Sequence, residues 1–154
     1  MRKKLSNGYF LGCFGHNRIE AGTMRHTSIP DQRAMNLSPA IPILRIFSVD
    51  KAREFYVDFL GFTVDWQHRF GDDFPLYMQV SRSGLTLHLS EHYGDATPGS
   101  AVYVRIDDVD SLQQELIAKQ YTYAKPGVED VDWARQVRIT DPFGNRLCFS
   151  QEKD

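Results

Sequence analysis

The sequence predicts an α+β fold made of two consecutive modules, each with the order strand, helix, strand, strand, strand. Short runs rich in β-branched and aromatic residues are interrupted twice by segments whose apolar residues recur at helical spacing. The order of segments in residues 41–93 is then repeated in residues 100–151. Self-similarity at a fixed period is typical of folds built from a repeated unit.

The first module opens with a strand candidate, IPILRIF (41–47). The next segment, SVDKAREFYVDFLGF (48–62), predicts a helix that is capped by Ser48 or Asp50 and ends at Gly61. Its predicted buried face consists of Ala52, Phe55, Tyr56 and Phe59. Three strand candidates follow, FTVDWQHRF (62–70), LYMQVSR (76–82) and LTLHLSE (85–91), and the turn RSG joins the last two as a hairpin.

The second module follows the linker HYGDATPG (92–99) and begins with the strand candidate SAVYVRI (100–106). The segment DDVDSLQQELIAKQ (107–120) predicts a helix capped by Asp107 or Asp108. Its predicted inner face holds Val109, Leu112, Leu116 and Ile117. The remaining strand candidates are YTYAKP (121–126), ARQVRIT (134–140) and NRLCFSQ (145–151), and DPFGN (141–145) has the residues of a tight turn.

Residues 1–40 show neither helical nor strand periodicity, so we interpret them as a disordered or loosely attached extension. The apolar run GYFLGCFG is broken by glycines and is too short for a secretory leader. Met24 and Met35 are alternative translation starts, because the patterned sequence begins just after Met35. No segment reaches the roughly 20 apolar residues that a membrane-spanning helix needs.

The charge of the chain is unevenly distributed. Residues 1–40 carry six Lys/Arg and two Asp/Glu, a net charge of +4, whereas residues 41–154 carry twelve Lys/Arg and eighteen Asp/Glu, a net charge of −6. An acidic body repels phosphates, so nucleic acid is not the expected partner. The two cysteines, Cys13 and Cys148, do not make a disulfide framework and are compatible with a reduced, cytoplasmic location.

Four stretches carry a family resemblance: ILRIFSVDKAREFYVDFLGF, LTLHLSEH, VYVRIDDVDSL and VDWARQVRITDPFGNRLCF. Residues 41–151 resemble the glyoxalase/bleomycin resistance/extradiol dioxygenase superfamily, which has the vicinal oxygen chelate fold. Within it, DDF at 72–74 and the stretch around Trp133 are most similar to bleomycin resistance proteins. The resemblance implies that each module forms a curved mixed sheet and that the protein is a homodimer with ligand crevices at its interface.

The resemblance also implies where a metal would be held in an enzyme of this superfamily. The four ligand positions fall on Ile43, His88, Ala101 and Cys148. Ile43 and Ala101 offer no lone pair to a metal, and two remaining ligands are fewer than a catalytic zinc site uses. We therefore expect no cofactor and no catalytic residue. His88, Glu91 and Cys148 remain weak candidates for a displaced metal site.

Without a metal, the expected ligand site depends on aromatic walls and placed charges. The candidate ligand-binding residues are Asp65, Trp66, Asp73, Phe74, Ser90, Glu91, Tyr103 and Trp133. Trp66 and Tyr103 are equally compatible with core packing, because half the residues of a strand point inward. Phe74 and Trp133 stand in polar surroundings, which favours exposure.

The resulting hypothesis is a non-enzymatic protein that sequesters a small cationic aromatic antibiotic of the bleomycin type, because such a ligand stacks on aromatic faces and is attracted to carboxylates. The alternative is a metal-dependent lyase or dioxygenase that uses the displaced site. In the stretch around Trp133 this chain reads DWARQ at 132–136, and the resemblance implies that Ala134 stands in place of the family's glycine and Gln136 in place of its glutamate.

Overall fold

The computed structural model describes residues 36–153, and from Ser38 onward the chain forms one compact unit. Residues 36–40 are exposed and have no regular secondary structure. The rest of the predicted N-terminal extension lies outside the described residues, and so do Cys13 and the alternative starts at Met24 and Met35.

The first module forms a four-stranded mixed sheet in the order β1-β4-β3-β2. Strand β1 runs parallel to β4, and the other two pairs are antiparallel. The elements are β1 (Ile43–Arg45), α1 (Val49–Ala52) continued by a π-helix (Arg53–Phe59), β2 (Thr63–His68), β3 (Tyr77–Arg82) and β4 (Leu85–Ser90).

The second module repeats this topology in the order β5-β8-β7-β6, with β5 parallel to β8. Its elements are β5 (Ala101–Arg105), α2 (Val109–Ala118), β6 (Val128–Val131), β7 (Ala134–Thr140) and β8 (Arg146–Glu152). The predicted α+β class with two βαβββ modules is therefore confirmed.

The strand predicted at 121–126 is wrong, because the edge strand β6 lies further along the chain, at Val128–Val131. Pro126 lacks the backbone N–H that a strand pair needs. Tyr121 instead packs its ring on Phe59, with the ring centroids 4.6 Å apart. Local β-propensity was therefore outweighed by packing against the first module's helix.

The predicted helix caps are resolved at both helices. Ser48, rather than Asp50, is the N-cap of α1, and its hydroxyl accepts a hydrogen bond from the Lys51 N–H. Asp108 caps α2 by accepting from the Ser111 N–H. The predicted inner face of α2 is correct at Val109 and Leu116, which are buried, but Ile117 is 42% exposed.

The two modules are joined by polar contacts as well as by a shared apolar core. The buried Tyr56 hydroxyl, on the first module's helix, donates to the Asp141 carboxylate at 2.8 Å. The Asn145 amide, in the second module's turn, donates to the Arg45 carbonyl at 2.8 Å. Two of the four stretches that carry the family resemblance, the first and the last, therefore meet at this joint.

The strand registers align the two modules position by position. Ile43 is paired with His88, and Tyr103 is paired with Cys148. Tyr103, rather than Ala101, is therefore the counterpart of Ile43 in the second module. Neither Ile43 nor Tyr103 carries an imidazole or a carboxylate. Both side chains are therefore poor ligands for a divalent metal.

Candidate functional site

The first sheet has one face in the core and one face that is partly open, because side chains alternate along a strand. Met78, Val80, Leu87 and Leu89 are fully buried on the core side. We call the other side the open face. Its central side chains are those of Tyr77, Gln79, Ser81 and His88.

A β-bulge at Asp65 brings Trp66 to this open face. Val64 is paired with the buried Val80, but Trp66 is paired with Gln79, so Asp65 is the extra residue of β2. In a regular strand, Val64 and Trp66 would point to the same side. Because of the bulge, Val64 and Trp66 point to opposite sides of the sheet. Trp66 is 42% exposed and stacks on Tyr77, with the ring centroids 5.9 Å apart.

A continuous chain of hydrogen bonds runs across the open face. The Asp65 carboxylate accepts from Gln79 Nε2 at 2.9 Å and from Ser81 Oγ at 2.8 Å. These two bonds lower the pKa of Asp65 below its ordinary value. His88 Nε2 lies 3.0 Å from Gln79 Oε1, and His88 Nδ1 lies 2.8 Å from the Tyr77 hydroxyl.

The chain of bonds sets the tautomer of His88. An ionised carboxylate only accepts, so Gln79 must direct its amide nitrogen to Asp65 and its oxygen to His88. His88 Nε2 must then carry a proton, and in the neutral ring Nδ1 accepts from the Tyr77 hydroxyl. Both ring nitrogens therefore have protein partners, and a metal ion would have to displace one of them.

A cavity of about 380 Å³ lies beside this cluster. Its walls are predominantly aromatic, and one carboxylate stands among them. The lining residues are Trp66, His68, Phe70, Tyr77, His92 and Asp95. The volume is within the range of small-molecule pockets, and the composition suits a flat ligand that carries positive charge.

A second cavity, of about 340 Å³, lies where the loop 69–76 meets β1. Phe74 is 55% exposed at its edge, next to Asp73 and Glu91. Arg69 donates to the Phe74 carbonyl at 2.6 Å, and the Glu91 carboxylate accepts from the Leu76 N–H at 2.8 Å. Glu91 therefore holds the loop in place.

Ser90 belongs to the framework of the site. It is fully buried, and its hydroxyl donates to Asp95 at 2.6 Å and accepts from the His92 N–H at 3.0 Å. These bonds tie the end of β4 to the linker that follows it. As the structure stands, the side chain is not accessible to a ligand.

The second module places the remaining candidates on its own sheet. Tyr103 is 53% exposed, and its hydroxyl donates to Ser150 Oγ at 2.6 Å. Trp133 is 64% exposed in the turn between β6 and β7. Ala134 and Gln136, the two departures from the family pattern, are buried.

The weak metal candidates are not assembled into one site. His88 lies on the first sheet and Cys148 on the second, where the cross-strand neighbours of Cys148 are Tyr103 and Arg138. The Glu91 carboxylate is occupied by the Leu76 N–H. Among residues 36–153, no three His, Cys, Asp or Glu side chains are grouped so that they could hold a metal ion.

The eight predicted ligand residues thus fall into three groups. Asp65 and Trp66 lie on the open face, and Asp73, Phe74 and Glu91 lie around the loop cavity. Tyr103 and Trp133 lie on the second module, and Ser90 is buried at the end of β4. Sequence reasoning did not single out Tyr77, Gln79 or Phe70. The only signal for Tyr77 and Gln79 was their alternation with the apolar Met78 and Val80.

Among the residues that the structure describes, no helix is long and apolar enough to cross a membrane.

Solved structures with this fold include antibiotic-binding proteins. TnmS3, an antibiotic-binding protein from Streptomyces sp. CB03234, is 25% identical with a TM-score of 0.61, over 77% of this chain and 99% of that one. A bleomycin-binding protein from Streptomyces verticillus, solved with copper(II)-bleomycin, is 30% identical with a TM-score of 0.57, over 77% of this chain and 99% of that one. The bleomycin resistance determinant encoded on transposon Tn5 shares the fold, with 20% identity, a TM-score of 0.57, and 77% and 100% of the two chains covered.

No curated protein matches the chain in sequence. The family model described as "Glyoxalase superfamily protein" matches residues 30–154, which include both modules and the thirteen residues, 30–42, that precede β1. The chain belongs to the glyoxalase superfamily.

Proposed function

We propose that this protein binds a cationic aromatic antibiotic of the bleomycin type in a crevice of a homodimer and does not react with it. The observation that carries the proposal is the Trp66–Tyr77 stack on the open face, where a large indole remains 42% exposed in a strand. Indole and phenol rings with a free face are stacking surfaces for flat ligands. Two of the structural relatives are an antibiotic-binding protein and a bleomycin-binding protein.

The charge of the aromatic cavity suits a cation. Asp95 lines this cavity, and no lysine or arginine is among its described lining residues. In the neighbouring loop cavity, Asp73 and Glu91 are balanced by Arg45 and Arg69. The chain is acidic from residue 41 onward, since residues 41–154 carry a net charge of −6. A cationic ligand is attracted both to the carboxylates and to the π faces of the aromatic rings, and the overall field favours its approach.

The residues of the site favour binding over catalysis. The two nitrogens of His88 are engaged by Tyr77 and Gln79, so the ring is not free to act as a base without breaking a bond. Cys148 has no histidine or carboxylate as its cross-strand neighbour, and a nucleophilic thiol needs such a base. Sequestration needs neither group, since it removes free drug by mass action.

A dimer is part of the proposal because the aromatic candidates are divided between two sheets of one chain. Trp66 lines one cavity, Phe74 a second and Tyr103 a third. A second copy that places its second sheet over the first sheet's open face would join these groups around one ligand. Exposed aromatic side chains of this kind are also typical of interfaces.

Isothermal titration calorimetry with bleomycin, metal-free and as the copper(II) complex, tests the proposal at low salt. We expect one ligand per chain, and a loss of about 1–3 kcal/mol of binding free energy for Trp66→Ala or Trp133→Ala if each is a central anchor. Tyr123→Ala is the matched control, because Tyr123 is an exposed aromatic residue that lines a cavity away from this face.

A binding stoichiometry of zero for both forms of bleomycin would contradict the proposal that bleomycin is the ligand. Metal analysis of the purified protein addresses the enzymatic alternative. A stoichiometric divalent ion that is lost in His88→Ala would replace the binding proposal with a metal-dependent lyase or dioxygenase.

A further inference from the structure

We infer that Asp65 is a positioning residue of the binding face, which holds Trp66 and Tyr77 in their stack through Gln79 and Ser81, rather than a contact for the ligand's positive charge. This inference rests on the proposed function and deepens it, because it assigns different tasks to two adjacent residues that are both candidate ligand contacts in the sequence analysis.

The first step of the argument is the bulge itself. A bulge leaves one residue of the longer strand without a cross-strand partner and disrupts the ladder locally. That residue is Asp65. If β2 paired regularly with β3, without the bulge, Trp66 would lie on the same side of the sheet as Val64. That side faces the core, with Val80.

The second step is what fastens the bulge. The two carboxylate oxygens of Asp65 accept separate hydrogen bonds, from Gln79 and from Ser81, which are both on β3. Trp66 is paired with the same Gln79. The carboxylate thus binds the bulge to two successive open-face positions of the neighbouring strand, and a shift of one residue in register would break both bonds.

The third step is that each oxygen of the carboxylate already has a partner within the sheet. Gln79 continues the chain of hydrogen bonds to His88 and Tyr77. Tyr77 is the residue on which Trp66 stacks. Both halves of the stack are therefore connected to Asp65, one by the adjacent peptide and the other through hydrogen-bonded side chains.

The experiment uses the full chain with Trp133→Phe, in which Trp66 is the remaining tryptophan of the two. Near-ultraviolet circular dichroism and fluorescence then report the Trp66–Tyr77 stack without any ligand. Asp65→Ala should abolish the signal of the stack. Asp65→Asn should retain it, because the amide oxygen still accepts from Gln79 and the amide nitrogen can donate to Ser81 Oγ.

Bleomycin affinity, measured for the same Asp65 substitutions in the chain that retains Trp133, separates positioning from charge contact. We expect a loss of about tenfold or more for Asp65→Ala and a change within about twofold for Asp65→Asn. Asp72→Ala, which removes an exposed carboxylate from the nearby loop, is the control for a general loss of negative charge.

Two results would overturn the inference. One is an unchanged spectroscopic signal in Asp65→Ala, and the other is an Asp65→Asn variant that keeps the signal but loses affinity as Asp65→Ala does. If Asp65→Ala does not fold, the test uses Gln79→Leu, a change on β3 that removes the hydrogen bond between Gln79 and Asp65. This variant must then abolish the signal of the stack. Failure of the unmodified chain to bind bleomycin would refute the proposed function, while the ligand-free signals would still decide the role of Asp65.

Discussion

Asp141 shows how much of the joint between the modules depends on single residues. Its buried carboxylate accepts from the Tyr56 hydroxyl, from the backbone N–H groups of Phe143 and Asn145, and from the Asn145 side-chain amide. A buried carboxylate is costly unless its oxygens are hydrogen-bonded. The tyrosine of the first module and the turn of the second module are therefore energetically coupled.

Removal of the Tyr56 hydroxyl tests this coupling. Tyr56→Phe keeps the ring in the core but removes one donor from buried Asp141, so we expect the free energy of unfolding to fall by about 1–3 kcal/mol. Urea denaturation measures the change. Tyr123→Phe, at a tyrosine that is 75% exposed, is the control and should shift stability by less than about 0.5 kcal/mol. Equal effects of the two substitutions would contradict the coupling.

The same residue predicts how stability depends on alkaline pH. Burial, and then the negative charge of Asp141, raise the pKa of Tyr56 well above its ordinary value of 10.0. Its contribution to stability is therefore fully present below that value and is lost as the pH rises above it, because only the unfolded state then ionises. Urea melts between about pH 8 and about pH 11 should show this loss, and Tyr56→Phe should lack that component.

At the scale of elements, the loop 69–76 presents Phe74 at the edge of the site. Its conformation is held by Arg69, by the Glu91 carboxylate and by the bond from the Phe74 N–H to the Gly71 carbonyl at 3.0 Å. The ring packs against the bare backbone of Gly71, where an added Cβ would lie 3.1 Å from Phe74 Cδ2. The glycine therefore makes room for the ring.

Gly71→Ala should displace the Phe74 ring without unfolding the loop. We expect a loss of several-fold in bleomycin affinity, which corresponds to about 1 kcal/mol, and a change in unfolding free energy of less than about 0.5 kcal/mol. Calorimetry and urea denaturation measure the two quantities. Gly127→Ala is the matched control, because within residues 36–153 no heavy atom other than those of its own backbone and its two chain neighbours lies within 4 Å of the added Cβ. Unchanged affinity in Gly71→Ala would remove Phe74 from the proposed site.

At the scale of the whole molecule, the proposed function requires a dimer of two chains and an acidic surface that attracts a cationic ligand. The two modules of one chain have the same topology, yet the open face of the first carries the aromatic stack and the second carries Tyr103 and Trp133. A two-fold dimer can bring unlike faces of two copies together and produce two equivalent crevices.

Sedimentation equilibrium and calorimetry test this arrangement. We expect a particle with twice the mass of the chain, two bleomycin molecules per particle, and an affinity that decreases as salt is raised from about 0.05 M to about 0.5 M, because salt screens the attraction between a cation and an acidic surface. A monomer that binds bleomycin with full affinity would contradict the dimeric crevice, and a salt-independent affinity would contradict the electrostatic part.

The sequence by itself determined the order of the elements, the buried face of the first helix and the turn at Asp141, because periodicity, capping and turn chemistry are properties of neighbouring residues. The strand at 121–126 was mispredicted because Tyr121 packs on Phe59 of the first module's helix. The burial of Ile117 was also mispredicted, since this residue is 42% exposed. Only the tertiary structure decided that Trp66 faces outward and that Asp65 is fastened to Gln79 and Ser81. A bulge exists only in the pairing of two strands, and one extra residue reverses the side on which every later side chain lies.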